Sequence, residues 1–517
     1  MSGQGAVIDR LVERFYKLAL GDGYGFAKFA VPWGRKESES WRRKKILFDG
    51  VIRQFAKDCG VMAMDNRLYT FNGKIYEPTS SFAVCQAYDI LMSKLGIADV
   101  MSNKTLRKEA FLDTIVAYNQ LEVRNDLVAF SNKVVDFSGT KPVEMGKGMS
   151  FDPKWHVLDY RPYRYDPSAK APKFMDYLKY VLPDKMDRDV LQMFMGLGLV
   201  RSSSAFKNNN GPRSTVELCL VMLGSGANGK SVLFNIMCAL FGRNHITSID
   251  YETITSDGDE GLRGRAAIRS AVFNWSSDSD PKKFGMRNTA MFKRIVSGEP
   301  YPYRLLGEDI RVSSNCPYLI FSLNELPNIN EGTHGFIRRL QFVNFQKTVP
   351  RWKQNPTLAQ EIITSELPGV FNWVLRGAKE IRRRKFHFPA TDANVKTKMR
   401  SLLPTNPVSA WSLAYHVRGT ALAPMEQYVE MRVEDLYQSL VRFVDDNDGG
   451  TAPSKIAFSK SLQSLGFTKK RSADGVRYVC YGVSEKDFGQ SVLIDMFHED
   501  DATHNYAEDY DAFNKED

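Results

Sequence analysis

The sequence has 517 residues, 43% hydrophobic and 25% charged, a globular composition long enough for roughly three domains. Its net charge of +10 is uneven: residues 485–517 hold eleven acidic and two basic side chains and contribute −9, leaving +19 on the rest, an excess that suits nucleic acid but that solvated lysines alone also produce. Six scattered cysteines without a CxxC exclude a zinc ribbon, no apolar run approaches the ~20 residues of a membrane span, and MSGQGAVIDRLVERF lacks the apolar core of a secretion signal, so a cytoplasmic protein is expected.

In chain order, residues 1–165 mix helical patterns (AVIDRLVERFYKLAL, KTLRKEAFLDTIVAY) with β signals, which predicts an α+β accessory domain. Within it Asn72-Gly73 reads as a type I′ hairpin turn between aromatic strands, and DLVAFSNKVVDFSG at 126–139 is a further β-like piece. The basic stretch GRKESESWRRKK in the first fifty positions is either DNA-binding or a solvated tail. Residues 166–215 read as a helical linker or collar: a Pro- and Tyr-rich linker at 159–174, a helical stretch from Phe174 to Val200, then the polar insert SSSAFKNNNGPRS.

Residues 216–350 carry strand-like runs LCLVML, HITSI, RSAVFNW, PYLIFSL and RLQFVNF separated by helical or loop segments, the α/β pattern of a mostly parallel sheet with right-handed crossovers. Residues 351–420 are helical, interrupted at Leu367-Pro368-Gly369, with a basic cluster Arg382, Arg383, Arg384, Lys385 that reads as a solvated helix end unless it faces DNA. In 421–484 the order is helix (VEDLYQSLVRFVDDN), helix capped by Ser454, and two strands around Asp474-Gly475, the layout of a winged helix. Its candidate DNA contacts are Lys469, Lys470 and Arg471, with Lys455, Lys460 and Arg477; a winged helix that binds protein is the alternative. Residues 485–517 form an acidic tail, expected to be flexible, that occupies a basic groove, recruits a basic partner or only solubilises.

The chemistry centres on Gly224–Ser231, GSGANGKS, which fills GxxxxGK[ST] between a buried-type strand and a helix-competent run. Gly224, Ser225, Gly226, Ala227, Asn228 and Gly229 supply backbone donors for phosphate oxygens, Lys230 reaches the β- and γ-phosphates, and the Ser231 hydroxyl can ligate Mg²⁺. ATP with Mg²⁺ is therefore the expected ligand. The same loop also satisfies GxGxxG through Gly224, Gly226 and Gly229, with Asp250 about twenty residues on, as a dinucleotide site requires. Lys230 and Ser231 argue against that reading, because a dinucleotide gives them no γ-phosphate or metal to meet.

A triphosphatase also requires an acid near the metal, expected at the end of a strand adjacent to the first. RSAVFNWSSDSD supplies Asp278, with Asp280 as the alternative, and PYLIFSL delivers Asn324 at a strand tip, where it can orient the attacking water or serve as a turn residue. Arg338 and Arg339 precede the last strand, where a guanidinium can stabilise the transition state in a neighbouring subunit.

The ordered series GSGANGKS, NWSSD, FKRIVSGEPYPYR, LIFSLNELP and HGFIRRLQFVNF, within about 120 residues, resembles the superfamily 3 helicases, specifically the phage and plasmid primase-helicase family related to the poxvirus primase-helicase. DLVAFSNKVVDF with YDPSAKAPKF is similar to that family's N-terminal helicase-associated domain, ELPGVFNWVLRGAKE resembles the helical segment behind its motor, and the resemblance spans roughly residues 60–483. It implies an AAA+ P-loop motor in a ring, expected to be hexameric, that hydrolyses ATP between subunits and moves 3′ to 5′ on single-stranded and forked DNA. In that scheme Lys230 and Ser231 take the Walker A roles, Asp278 the Walker B acid on Mg²⁺, Asn324 the sensor, and Arg339 the arginine finger with Arg338 close behind. Asp278 departs from the family's usual glutamate in length but not in charge.

The same resemblance makes FKRIVSGEPYPYRLLGEDIRV a channel-lining hairpin, with Lys293 and Arg304 as its basic positions and Tyr301 and Tyr303 available to stack on bases. An ordinary basic hairpin is the alternative for each residue. The first 200 residues offer no strand with paired carboxylates for two-metal nucleotidyl transfer, so primase activity is expected on a separate chain, a primase or polymerase partner. The expected function is an ATP-dependent replicative DNA helicase of a phage or plasmid; the rival is a replication initiator or loader whose ATP site only switches assembly on origin DNA. A genome-packaging motor would bring a nuclease carboxylate cluster, and none is read.

Overall fold

The computed structural model describes Leu11 and most of residues 52–94, 112–121, 127–137, 142–145, 151–200, 216–414, 418–419 and 428–481; single residues and short stretches inside these ranges, Asp278 among them, lie outside the description. The acidic tail, the insert after Val200 and GRKESESWRRKK are likewise outside it. The chain divides after Tyr165 into two compact units.

In the first unit β1 (Val61–Met64), β2 (Arg67–Phe71) and β3 (Tyr76–Thr79) form an antiparallel sheet, followed by the helix Ser81–Lys94. Ile52, Phe55, Val61, Ala63, Leu68, Val84 and Tyr88 share its core. Four further strands, β4 (Leu127–Phe130), β5 (Val134–Asp136), β6 (Val143–Met145) and β7 (Asp159–Arg161), make a second sheet in the order β6-β5-β4-β7. Two expectations change here. The β2–β3 connection is not a type I′ turn: Phe71 pairs with Tyr76, so four residues form the loop, and Asn72 lacks the positive φ that type I′ demands. The Asn72 side chain instead accepts from the backbone N–H groups of Lys74 and Ile75, both at 2.9 Å. The linker read at 159–174 begins inside β7, whose Arg161 is buried.

The second unit is built on a five-stranded sheet of β8 (Cys219–Leu223), β9 (Ile246–Thr247), β10 (Phe273–Ser276), β13 (Tyr318–Leu323) and β14 (Leu340–Asn344), with β11 (Tyr301–Tyr303) and β12 (Arg311–Ser313) forming a separate antiparallel hairpin. All pairings in the five-stranded sheet are parallel and the order is β14-β8-β13-β10-β9. A parallel sheet covered on both faces needs unbroken apolar strands. CLVML and YLIFSL supply them: Leu220, Val221, Leu319, Ile320 and Phe321 are all fully buried, each worth about 1.5–3 kcal/mol of transfer energy.

The helical stretch before the sheet is two helices, Pro172–Val181 and Lys185–Val200, and the region behind it is three, Leu358–Ser365, Leu367–Arg383 and Asp392–Leu402. Lys185–Val200 crosses Leu367–Arg383 at glycines: a Cβ on Gly196 would lie 2.2 Å from the Ala378 nitrogen, and one on Gly377 would lie 2.0 Å from the Gln192 carbonyl oxygen. Asp187 and Asp189, spaced as a DxD pair, lie on the first of these helices and not on a strand.

The C-terminal part runs helix Pro407–Ala414, β15 (Arg418–Gly419), β16 (Tyr428–Arg432), helix Val433–Asp446, helix Lys455–Ser464, β17 (Thr468–Ser472) and β18 (Gly475–Tyr481). Strands β16 and β17 flank β18, both antiparallel to it. Ser454 caps its helix as expected, accepting from the Ala457 N–H at 3.3 Å. Gly475 pairs with Ser472 and so belongs to β18, while Asp474 lies outside the described residues. Trp411, Leu440, Phe458, Leu462 and Tyr478 form a core continuous with that of the parallel sheet.

Candidate nucleotide site

The glycine loop leaves β8 at Leu223 and enters the helix Lys230–Phe241. Gly226 (φ +93°) and Gly229 (φ +85°) adopt the left-handed region, and Ala227 follows them there at φ +46°. A Cβ on Gly224 would sit 2.0 Å from the Asn228 Nδ2, and one on Gly229 2.8 Å from the Tyr177 ring, so both glycines are forced by close approach. Gly226 has open space on the corresponding side.

The loop is pinned from three directions. Gly224 N–H donates to the Leu323 carbonyl at 3.1 Å, Val349 N–H donates to the Ala227 carbonyl at 2.8 Å, and the Tyr177 hydroxyl donates to the Gly229 carbonyl at 2.7 Å. Burial pushes the Tyr177 phenol well above its ordinary pKa, so it stays a donor. Asn228 is 2% exposed and its Nδ2 has no partner among the described residues. Lys230, 8% exposed, donates to the Gly224 carbonyl at 2.6 Å and, more weakly, to the Leu323 carbonyl and Asn324 Oδ1, both at 3.4 Å. Ser225 and Ser231 are exposed, Ser231 on the first turn of the helix.

Register explains the meeting of Lys230 and Asn324. Leu223 of β8 pairs with Leu323 of β13, so Gly224 and Asn324 emerge side by side. Ser276, the last residue of β10, pairs with Phe321, and the Ser279 N–H donates to the Ser322 carbonyl at 3.1 Å. The segment holding Asp278 therefore leaves the same edge of the sheet, although Asp278 itself lies outside the described residues. Contrary to the sequence expectation, the strand before it is not adjacent to β8; β13 intervenes and brings Asn324 between the loop and β10. Asp280 is exposed and its carboxylate accepts from the Lys282 N–H at 2.9 Å.

Strand order also separates the two nucleotide readings. A dinucleotide fold sets the acid at the end of the strand next to the glycine loop. Here Asp250 follows β9, three strand spacings or roughly 14 Å from β8. Its carboxylate caps the helix Tyr251–Thr255, accepting from Thr253 N–H at 2.7 Å.

Arg338 and Arg339 lie at the opposite end of the sheet, just before β14, where the Arg339 carbonyl accepts from Cys219 N–H at 2.7 Å. They differ sharply. The Arg338 side chain is 61% exposed and the Arg339 side chain 10%. Arg339 donates from Nη2 to Ser297 Oγ at 2.8 Å, from Nη1 to the Gly335 carbonyl, and pairs with Glu217 Oε2 at 2.8 Å. Burial lowers its pKa, opposed by Glu217. Arg338 Nη2 meets the same Glu217 Oε2, also at 2.8 Å.

The expected DNA-binding residues are dispersed. Lys293 is half-buried on the helix Thr289–Val296, while Arg304 is exposed and pairs with Asp259 at 3.3 Å. Tyr301 is fully buried with its hydroxyl on the Asn315 carbonyl at 3.1 Å, so it is a core residue and not a stacking platform. Tyr303 remains partly exposed. The β11–β12 hairpin exposes apolar Leu306, Ile310 and Val312 instead. On β17 the alternation of side chains puts Lys470 on one face and Lys469 and Arg471 on the other. Lys470 pairs with Glu430, Lys455 with Glu434 at 2.7 Å, and Lys460 is exposed. Register aligns Arg432, Arg477 and Lys470 in one row across three strands, a cation cluster to which sequence reading contributed Arg477 and Lys470 but not Arg432. Arg383 and Arg384 are tied to Glu380 at a helix end, at 2.9 and 2.7 Å.

No protein-family model and no curated protein matches the chain. Among solved structures, "The A form apo structure of NrS-1 C terminal region-CTR" is similar at 10% identity and a TM-score of 0.40, covering 81% of this chain and 94% of that one. Two further structures of the NrS-1 C terminal region (305-718) are similar at 10% identity, with TM-scores of 0.39 and 0.38, covering 83% and 82% of this chain and 99% and 96% of theirs. Among the described residues, no helix is long and apolar enough to cross a membrane and no group of three His, Cys, Asp or Glu side chains is placed to hold a metal ion.

Sequence reading missed Glu217, Tyr177 and the open donor of Asn228. Only Glu217 had a usable signal, as a lone acid directly ahead of the strand that leads into the loop.

Proposed function

We propose that this chain is an ATP hydrolase and DNA helicase of the superfamily 3 type, working as an AAA+ ring in which each ATP site is completed by a neighbouring copy, and without primase activity of its own. One observation carries the reading: Lys230 Nζ contacts both the Gly224 carbonyl and Asn324 Oδ1 where adjacent parallel strands end. A cation and a strand-tip amide thus converge on a glycine loop with an open side at Gly226 and a buried donor, Asn228 Nδ2, without a protein acceptor. That donor set fits an anion with several oxygens, as a triphosphate has.

Lys230 and the loop N–H groups would hold phosphate oxygens, Asn324 would orient the attacking water, and Ser231 with Asp278 would hold Mg²⁺. The metal supplies charge neutralisation at the phosphates. An arginine at the far end of β8 is about 16 Å of strand from the loop of its own chain, at 3.3 Å per residue. It can therefore serve only another copy's site, and of the two arginines the exposed Arg338 suits this better than the enclosed Arg339. The helices and antiparallel strands within residues 421–484, read as a winged helix, support DNA contact through Lys469, Arg471 and the row Arg432, Arg477, Lys470.

The test is strand separation on forked duplexes carrying a 3′ or a 5′ single-stranded tail, with wild type and Lys230→Ala. ATP-dependent unwinding of the 3′-tailed substrate, lost in Lys230→Ala, is expected. DNA-stimulated hydrolysis without strand separation returns the initiator reading, and absence of hydrolysis removes the ATPase reading altogether.

A further inference from the structure

Glu217 has no role in the site described so far, yet it sits where the two arginines meet. It precedes β8, next to the start of β14, and one oxygen, Oε2, takes Nη2 of Arg338 and Nη2 of Arg339, each at 2.8 Å. The two guanidiniums are held differently. Arg339 is enclosed, with Ser297 and Gly335 accepting from its other nitrogens, so leaving would break all of these hydrogen bonds at once. Arg338 is 61% exposed and, among the described residues, donates to Glu217 alone.

We propose that Glu217 is a positioning residue: Arg339 fixes its carboxylate, and the carboxylate in turn aims the exposed guanidinium of Arg338 at the ATP site of an adjacent copy. This rests on the ATPase reading above and deepens it. The chemistry follows from the shape of arginine. A planar guanidinium presents five N–H donors in a fixed fork, so one Nη can stay on Glu217 while the others face a phosphate. An arginine free to swing would have to lose its side-chain rotamer freedom in every catalytic cycle, whereas one already held by a fixed carboxylate is ordered beforehand. An exposed pair contributes little to stability, commonly below about 1 kcal/mol. Anchoring by the enclosed Arg339 is what turns this surface contact into a directional one.

The assignment divides the arginine pair by task. Arg338 reaches out, and Arg339 serves as the fixed counter-ion of the residue that aims it. A carboxylate beside the finger also keeps the two adjacent guanidiniums from repelling each other apart, since they would otherwise face like charge at close range.

The test compares steady-state ATP hydrolysis by the full chain in the presence of Mg²⁺ and single-stranded DNA for wild type, Glu217→Gln, Arg338→Ala and the double variant. Glu217→Gln is expected to lower kcat by about 10- to 100-fold with KM for ATP unchanged, because the residue acts on transition-state stabilisation and not on ground-state binding. It is expected to add nothing to Arg338→Ala, since both act through one guanidinium. A merely structural Glu217 would give losses that multiply in the double variant, or a raised KM with normal kcat, and either overturns the proposal, as does an unchanged kcat. Glu217→Asp, which keeps the charge on a shorter arm, is read by the same two criteria should the glutamine variant fail to fold. If the wild type does not hydrolyse ATP, the ATPase reading fails first, and that outcome is distinct from any pattern among the variants.

Discussion

The two ends of the parallel sheet are built on opposite plans. Where the strands finish, the glycine loop holds donors on partners that a ligand can replace: Lys230 rests on carbonyl oxygens, and Asn228 Nδ2 has no partner among the described residues. Where β8 and β14 begin, Arg339 is fully engaged and only Arg338 projects. On the proposed function the first end receives phosphate and the second presents Arg338. Under that proposal the two halves of a shared site differ in stiffness, because the loop would exchange partners in each cycle while the reaching group would stay aimed.

The largest test of that contrast is Arg338→Ala, expected to lower kcat by roughly 10³–10⁵-fold with folding intact. Lys230→Ala, which removes a donor at the open end, is expected to lower hydrolysis by about 10²–10³-fold or more, measured on the same assay. Arg339→Ala should differ in kind. It strands Ser297, Gly335 and Glu217, so thermal or urea unfolding should register a loss of about 2–4 kcal/mol. An Arg339→Ala protein of normal stability but no turnover would reverse the division of labour between the arginines.

Smaller effects come from two buried groups behind the sheet. Asp187 accepts from the Asn344 N–H at 3.1 Å while its other oxygen has no partner, and burial pushes its pKa up from 3.8 to about 7. A raised folded-state pKa gives stability that is full below the unfolded value near 4 and is lost as pH rises through about 7. Asp187→Asn should therefore stabilise the protein at pH 8 by on the order of 2 kcal/mol and have little effect at pH 4. Lys398 has the opposite sign: burial lowers its pKa from 10.5 to about 8, so its contribution is present above 10.5 and is lost as pH falls through 8. Lys398→Met should gain on the order of 1–2 kcal/mol at pH 6.5, the gain shrinking as pH rises, as read by denaturant unfolding across that range.

Much of this was written locally in the chain. The runs CLVML and YLIFSL announce buried parallel strands, and GSGANGKS announces its own turn, because each glycine there is forced by φ or by contact. Strand order was not legible. The crossovers insert β13 between β8 and β10, and no local pattern records which neighbour a strand will choose. The same gap hid Glu217: its meeting with Arg338 and Arg339 depends on β8 pairing with β14 across more than a hundred residues. Which of two consecutive arginines projects is likewise set by how the chain enters β14. Tyr301 looked like an exposed aromatic in a basic hairpin, but the hairpin turns it into the core and exposes Leu306 instead. Asn72-Gly73 suggested a two-residue turn, and the Asn72 side chain closed a four-residue loop by its own hydrogen bonds.

On the proposed function, one chain's open end is completed by another chain's closed end. Mixing Lys230→Ala with Arg338→Ala tests it directly, since each variant alone is expected to be inactive and each retains the half the other lacks. Equal mixing is expected to recover about a quarter of wild-type ATP hydrolysis, the fraction of interfaces in a ring that pair an intact lysine with an intact arginine. No recovery at any ratio, from subunits that co-assemble, would contradict the shared site.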